Sequence, residues 1–139
     1  MTSVRGEINM VEIFTDGACK GNPGVGGWGA ILRFAGTERE LFGGVVNTTN
    51  NRMELTAVIE GLRALKHIGV TVEIVCDSQY VVCTMTKGWK RKANHDLWQA
   101  LDAVIAEKQP VLTRRWVRGH AGNPMNERVH KLVMQAREV

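Results

Sequence analysis

The chain has 139 residues, of which 44% are hydrophobic and 23% charged, which excludes a disordered protein and fits a single globular domain. Its longest apolar run falls far short of the roughly 20 residues of a membrane-spanning helix, and residues 1–10 lack the apolar core of a secretory signal. We therefore expect no membrane association. The net charge of +4 at pH 7 weakly favours an anionic partner, although many basic proteins have none.

The three cysteines are an odd number without zinc-finger spacing: Cys19, Cys76 and Cys83. They predict free thiols in a reducing, cytoplasmic environment. We expect residues 1–139 to form one domain, with residues 1–7 as a flexible N-terminal extension.

The first half of the chain predicts three strands and a helix. The strands are Val11–Phe14, Trp28–Phe34 and Glu38–Val46, the last two pairing antiparallel across Gly36. The helix opens with Asn50 as a favoured capping residue, and its apolar spacing continues until Gly69.

The second half predicts further alternating elements with polar connections between them. In order they are a buried strand Val72–Val75, a helix Gln79–Thr86, a connector Lys87–His95, a helix Asp96–Lys108, a strand Pro110–Val117, a loop Arg118–Asn123 and a helix from Pro124. The order βββαβααβα predicts an α/β fold, a mixed sheet with helices on its faces.

Two aspartates each follow a strand-like run, Asp16 after the first strand and Asp77 after the fourth. If these strands are parallel neighbours, both carboxylates emerge at one sheet end, where open α/β sheets bind ligands. Clustered carboxylates repel each other, so a divalent cation is their natural counter-ion. The pattern predicts metal-dependent phosphate chemistry.

Each acid also has a simpler explanation. Asp16 is typical of a turn before glycine, Glu54 of a first helical turn, and Asp77 with Ser78 of a helix cap. Three such acids expected on one edge of a sheet are harder to explain separately.

Several blocks of the sequence resemble type 1 ribonuclease H, in the order found in that family. They are Thr15–Cys19 with Gly21–Gly24, Thr48–Leu55, Asp77–Val81 and Gly119–Pro124, extended by Asp96–Trp98 and Asn126–Arg128. The resemblance spans residues 8–137. It implies one ribonuclease H-like domain with a mixed five-stranded sheet, three antiparallel strands followed by two parallel ones.

The resemblance implies hydrolysis of the RNA strand of an RNA–DNA hybrid, leaving 5′-phosphate and 3′-hydroxyl ends. It also implies two Mg²⁺ or Mn²⁺ ions, with Asp16 bridging both and Glu54 and Asp77 each holding one. Hard carboxylate oxygens suit these ions. Two such ions generate the nucleophile from water and stabilise the leaving oxygen. We expect a monomer that binds the hybrid duplex.

Substrate contacts are implied in the same way. Asn22 and Thr49 match positions that hold the DNA-strand phosphate. Cys19, Asn50 and Gln79 match positions at the minor groove or the RNA sugar, where 2′-hydroxyls distinguish RNA from DNA. Simpler explanations are a turn former for Asn22, a packed thiol for Cys19 and a helix surface for Gln79.

Two histidines are singled out by the resemblance. His120 matches a mobile residue that aids water activation or product release, although a lone surface histidine is usually functionally silent. His130 stands where the family has its fourth metal carboxylate. We expect it to contact the metal directly or through water; the alternative is a partly buried imidazole that fills space.

The connector is also shorter than in bacterial members, which often insert a helix and a basic handle there. Lys87, Lys90, Arg91 and Lys92 form a basic patch around Trp89, which aligns with an aromatic lining the DNA-strand channel. The alternative is a solvated charged surface.

Two other functions compete with hybrid hydrolysis. One is an integrase or resolvase of similar fold, against which the glycine-rich turn and the Thr48–Leu55 block argue. The other is a catalytically inactive hybrid-binding module, suggested by His130.

Overall fold

The computed structural model describes residues 10–88, 90–117 and 124–138. The strands are β1 (Met10–Lys20), β2 (Gly24–Phe34), β3 (Thr37–Thr48), β4 (Thr71–Cys76) and β5 (Val111–Val117). The helices are α1 (Asn50–Arg63), α2 (Gln79–Lys87), α3 (His95–Lys108) and α4 (Pro124–Arg137). This is the element order that the sequence predicts.

The five strands form one mixed sheet in the order β3-β2-β1-β4-β5. β1 pairs antiparallel with β2 and β2 with β3, whereas β1–β4 and β4–β5 are parallel pairs. The predicted architecture of three antiparallel strands followed by two parallel ones is confirmed.

The sheet has an apolar core on each face, because successive side chains of a strand point to opposite sides. Ile13 packs in the larger core with residues of α1 and α3. Its neighbour Phe14 packs in the smaller core with Met125 and Val129 of α4. The helices are therefore held on opposite faces of β1, the strand that carries Asp16.

Several element boundaries differ from the prediction, and the ends of β1 and α1 differ by the most residues. β1 does not stop at Phe14 but continues to Lys20, because it pairs along its length with the glycine-rich start of β2. α1 ends at Arg63 rather than at Gly69. Leu65 is buried beyond the helix, with its backbone N–H donated to the Leu62 carbonyl, so its apolar spacing reflects packing and not helix.

Within the described ranges, every helix is too short or too polar to cross a membrane. All three cysteines are free, as predicted. Burial raises the pKa of the Cys76 thiol to about 12, so that thiol is an unreactive packing group.

Candidate active site

The two aspartates lie side by side at the end of the parallel ladder between β1 and β4. The last pair of this ladder is Thr15 with Cys76, and Asp16 and Asp77 are the residues that follow. The predicted meeting of these residues at one sheet end is confirmed. Asp16 is not a turn residue, however, because β1 continues past it and pairs it with Gly29.

Asp77 is not needed as a helix cap. The hydroxyl of Ser78 accepts the backbone N–H of Val81 at 3.2 Å and so caps α2. Asp77 is exposed, while Ser78 is buried. The capping explanation therefore applies to Ser78 and leaves Asp77 available to a ligand.

Glu54 reaches the same region from α1 because the helix lies directly against β1. A Cβ atom at Gly17 would stand 2.5 Å from the backbone nitrogen of Glu54, so only glycine allows this approach. The cap of α1 is Thr49, not the predicted Asn50, and Glu54 lies beyond the first helical turn. The first-turn explanation for Glu54 is therefore wrong.

The local electrostatics disfavour negative charge on two of these acids. Burial, followed by repulsion from Asp16 and Asp77, raises the pKa of Glu54 well above its usual range. Burial also raises the pKa of Asp16, against the lowering effect of His130. Among the described residues, the buried Glu54 Oε2 has no hydrogen-bond partner. A bound cation would satisfy this oxygen and offset the repulsion.

His130 faces the aspartates from α4. Its Nδ1 lies 3.0 Å from Asp16 Oδ2, and 58% of its side chain is exposed. The space-filling explanation is therefore wrong. Arg128, on the same helix, donates to Glu38 and Glu40 of β3 at 2.8 Å each, which ties α4 to the sheet edge.

An open cleft of about 500 Å³ lies at this end of the sheet. Asp16, Asp77 and His130 line it, together with Glu127 and Lys131 of α4. Sequence reasoning did not single out Lys131. Its position next to His130 on the last helix is the feature of the sequence that could have indicated a place in this cleft.

The donor set suits a hard divalent cation, since it consists of carboxylates, one with an unsatisfied buried oxygen. In the part of the chain that the structure describes, no three Asp, Glu, His or Cys side chains converge closely enough to enclose one ion. The chemistry of the residues fits the predicted metal, and its ligand set stays a prediction.

Asn22 and Asn50 form a linked pair beside the site. The Asn22 Oδ1 accepts the backbone N–H of Asn50 at 3.0 Å, and the Asn50 Oδ1 accepts that of Cys19 at 2.6 Å. Both oxygens are thus used to join the β1–β2 turn to the start of α1. For neither side-chain amide nitrogen does a described residue provide an acceptor, so these nitrogens can donate to a phosphate or a base.

Of the other predicted substrate residues, Cys19 and Thr49 form hydrogen bonds within the protein, whereas Gln79 is exposed. The Cys19 thiol donates to the Thr48 carbonyl at 3.1 Å, and Thr49 caps α1 through its hydroxyl. Gln79 is exposed on the first turn of α2, close to Asp77 in the chain. His120 and Trp89 lie outside the described residues.

The basic patch contains fewer available cations than the sequence implies. Arg91 donates to Asp102 at 2.7 Å and stacks over the Trp98 ring at 4.8 Å. Lys90 and Lys92 are exposed. Arg91 is therefore a structural residue, and the lysines are the candidates for binding a polyanion.

Comparisons with known proteins identify the family. A family model described as RNase H matches residues 8–138. A protein named Ribonuclease H from Polaromonas naphthalenivorans (strain CJ2) is 53% identical over 135 residues, covering 88% of this chain and 83% of that protein.

Solved structures have the same fold. The N-terminal RNase H domain of Rv2228c from Mycobacterium tuberculosis superimposes with a TM-score of 0.78 at 27% identity, over 93% of this chain and 94% of that one. LC11-RNase H1 in complex with an RNA/DNA hybrid gives a TM-score of 0.73 at 27% identity, over 92% and 96%. The chain therefore belongs to the RNase H family.

Proposed function

We propose that this chain cleaves the RNA strand of RNA–DNA hybrids with two divalent ions and leaves 5′-phosphate and 3′-hydroxyl ends. As a member of the family it is an endonuclease, and the family in general depends on divalent metal. The observation that carries the proposal is the juxtaposition of Asp16 and Asp77 at the end of the β1–β4 ladder, with Glu54 brought alongside by Gly17. A hydrolysis assay on labelled hybrid tests it.

Asp16, Glu54 and Asp77 would hold the ions. When bound, such ions activate water and stabilise the leaving 3′-oxygen. The protein would contribute position, since α1, β1 and the end of β4 would bring three carboxylates towards one phosphate. The buried Glu54 Oε2 supports this role, since a buried anionic oxygen without a donor is costly unless a cation accompanies it.

His130 would act through both ring nitrogens. In the tautomer that carries its proton on Nδ1, the ring would donate to Asp16 and orient that carboxylate, which would leave Nε2 for the metal or its water. An imidazole carries no negative charge and suits Mn²⁺ better than Mg²⁺. His120, placed by sequence similarity alone, would assist water activation or product release.

We expect hydrolysis by the wild type to favour Mn²⁺ over Mg²⁺, and His130→Asp to reach half-maximal activity at about tenfold lower Mg²⁺ because it restores an anionic ligand. Metal titrations of the wild type, His130→Asp and His130→Ala check this. Three superimposable curves would show that His130 has no part in metal binding.

Recognition of the hybrid would combine amide and lysine contacts. The donors on Asn22 and Asn50 are held in place by their own carbonyl oxygens, so little entropy is lost when they bind a phosphate or a base. Exposed Gln79 would meet the minor groove beside the scissile position. The structure of LC11-RNase H1 in complex with an RNA/DNA hybrid supports the hybrid as the ligand.

We expect the double change Lys90→Ala with Lys92→Ala to raise the KM for the hybrid and to reduce the salt slope of binding by up to about two units, one for each phosphate that a lysine no longer neutralises. The matched control is Lys108→Ala, which removes a lysine whose ammonium donates to the Leu65 carbonyl, away from this patch. The measurement is the hybrid dissociation constant at several salt concentrations. If the double variant and the control keep the wild-type slope, the patch is a solvated surface.

A catalytically inactive hybrid-binding module is the second candidate, favoured by His130 in place of a carboxylate. The retention of Asp16, Glu54 and Asp77 argues against it, because binding alone does not require clustered carboxylates beside a phosphate. The two candidates differ in one outcome: only the nuclease shortens the RNA strand.

A further inference from the structure

One residue of the connector has an unusual conformation. Asn94 precedes α3 and has φ 61° and ψ 36°. These angles lie in the left-handed region, which residues other than glycine rarely adopt, although asparagine does so more often than most. Asparagine directly before a helix normally caps it. Within the described chain, the Asn94 side chain makes no capping bond to α3. The Asn94 side chain is therefore not used in the usual capping role.

The Asn94 side chain instead joins α1 and α2. Its Oδ1 accepts from Arg52 Nη1 at 3.3 Å, and its Nδ2 donates to the Tyr80 hydroxyl at 3.1 Å. Arg52 lies in the first turn of α1, and Tyr80 in the first turn of α2. The amide group supplies an acceptor and a donor, so a single side chain makes both bonds at once.

Further bonds anchor both ends of this bridge. The guanidinium of Arg52 makes a two-pronged ion pair with Asp96 at 2.7 and 3.0 Å. The Tyr80 hydroxyl also accepts from Trp98 Nε1 at 2.9 Å, and Trp98 is 1% exposed. Both anchoring bonds therefore come from residues of α3, a helix whose Trp98 is buried in the core.

The bridge joins residues that are close in sequence to the proposed catalytic residues. Arg52 is two residues before Glu54, and Tyr80 is three residues after Asp77. We infer that Asn94 is a positioning residue that sets the distance between the starts of α1 and α2, and with it the placement of Glu54 relative to Asp77. The effect of Asn94 on catalysis rests on the proposed function, whereas the coupling of the starts of α1 and α2 is a property of the fold.

The test compares Asn94→Gly with Asn94→Asp. Glycine adopts the left-handed backbone without strain but removes the bridge. Aspartate tolerates that backbone and can accept from both Arg52 and the Tyr80 hydroxyl, so it should rescue. We expect a small change in Tm for both variants, with kcat on hybrid lowered about tenfold for Asn94→Gly and near wild type for Asn94→Asp.

Two further variants separate positioning from general stability. Tyr80→Phe should lower kcat to a similar extent, and its combination with Asn94→Gly should be no worse than the poorer single variant, since both break one bridge. The matched control is Asp102→Asn, which breaks an ion pair of the same helix with Arg91 and should keep the wild-type kcat. Additive losses in the double variant would overturn the inference.

Amide hydrogen exchange provides a readout that does not depend on activity. The N–H groups of Met53 and Val82 are bonded to the Thr49 and Ser78 carbonyls in the first turns of α1 and α2. Both should exchange faster in Asn94→Gly, whereas Ala64 N–H at the far end of α1 should not change. Unchanged exchange at Met53 and Val82 would overturn the inference. An inactive wild type would overturn the proposed function alone, and exchange would still decide the bridge.

Discussion

Replacement of Asp16 by asparagine is expected to abolish hydrolysis of the hybrid, with a loss of roughly a thousandfold in kcat. The change keeps the shape of the side chain but removes the charge that the two ions would share. It also weakens the pairing with His130 Nδ1, which lies 3.0 Å away. Affinity for the hybrid should change little, because it depends mainly on phosphate contacts from other residues.

The measurement is kcat in the presence of Mg²⁺ and Mn²⁺, together with the dissociation constant for a labelled hybrid. Asp102→Asn is the matched control, since it makes the same chemical change on α3, where the aspartate pairs with Arg91. Asp16→Asn with most of the wild-type activity would mean that the metal assignment is wrong. Loss of both binding and hydrolysis would instead indicate a misfolded variant, which the Tm would reveal.

Replacement of Glu54 by glutamine is expected to eliminate activity and to stabilise the protein when no divalent ion is present. The pKa of Glu54 is raised in the folded state, so its charged form opposes folding. The wild type therefore loses stability as the pH rises from the ordinary pKa, near 4.5, through the higher folded value. Glutamine has no such penalty, so we expect Glu54→Gln to raise the free energy of unfolding at neutral pH.

Unfolding in denaturant at several pH values, with a chelator present, checks whether Glu54→Gln is more stable than the wild type. The gain should be complete above the folded pKa of Glu54 and should vanish below about pH 4, where both side chains are neutral. Glu60→Gln is the control, because Glu60 lies on the same helix and pairs with Arg63 at 2.7 Å, so its loss should not stabilise. A Glu54→Gln variant no more stable than the wild type would show that the buried carboxylate does not oppose folding.

Added Mg²⁺ should reverse the order of stability. The wild type gains binding energy from the ion according to its affinity, whereas Glu54→Gln has one ligand fewer and gains less. The same titration thus connects the stability of the protein to its proposed metal site.

Much of the fold could be predicted because local patterns in the sequence determine its helices and strands. Apolar runs, turn glycines and the order of elements predict the mixed sheet, and the structure confirms it. The length of β1 could not be predicted, because Lys20 belongs to the strand only through its pairing with β2. The end of α1 was also missed, since burial of Leu65 by tertiary contacts resembles helical spacing.

The site was predicted at the level of residues that share a sheet end. Asp16 and Asp77 follow from the parallel pairing of their strands, which sequence alone suggests. The contact between Asp16 and His130 joins residues 114 positions apart and depends on how α4 packs over the sheet. The bridge through Asn94 had no signal, because a left-handed asparagine is defined by backbone angles that composition does not reveal.

The most direct test of the proposed function is a cleavage assay with wild-type protein on an RNA–DNA hybrid, a DNA duplex and an RNA duplex of one sequence. We expect the RNA strand of the hybrid alone to be cut, with Mn²⁺ or Mg²⁺ and not with a chelator, to give 5′-phosphate and 3′-hydroxyl ends. Tight binding of the hybrid without cleavage in either ion would contradict it and identify a binding module, and cleavage of the DNA duplex would identify a different nuclease.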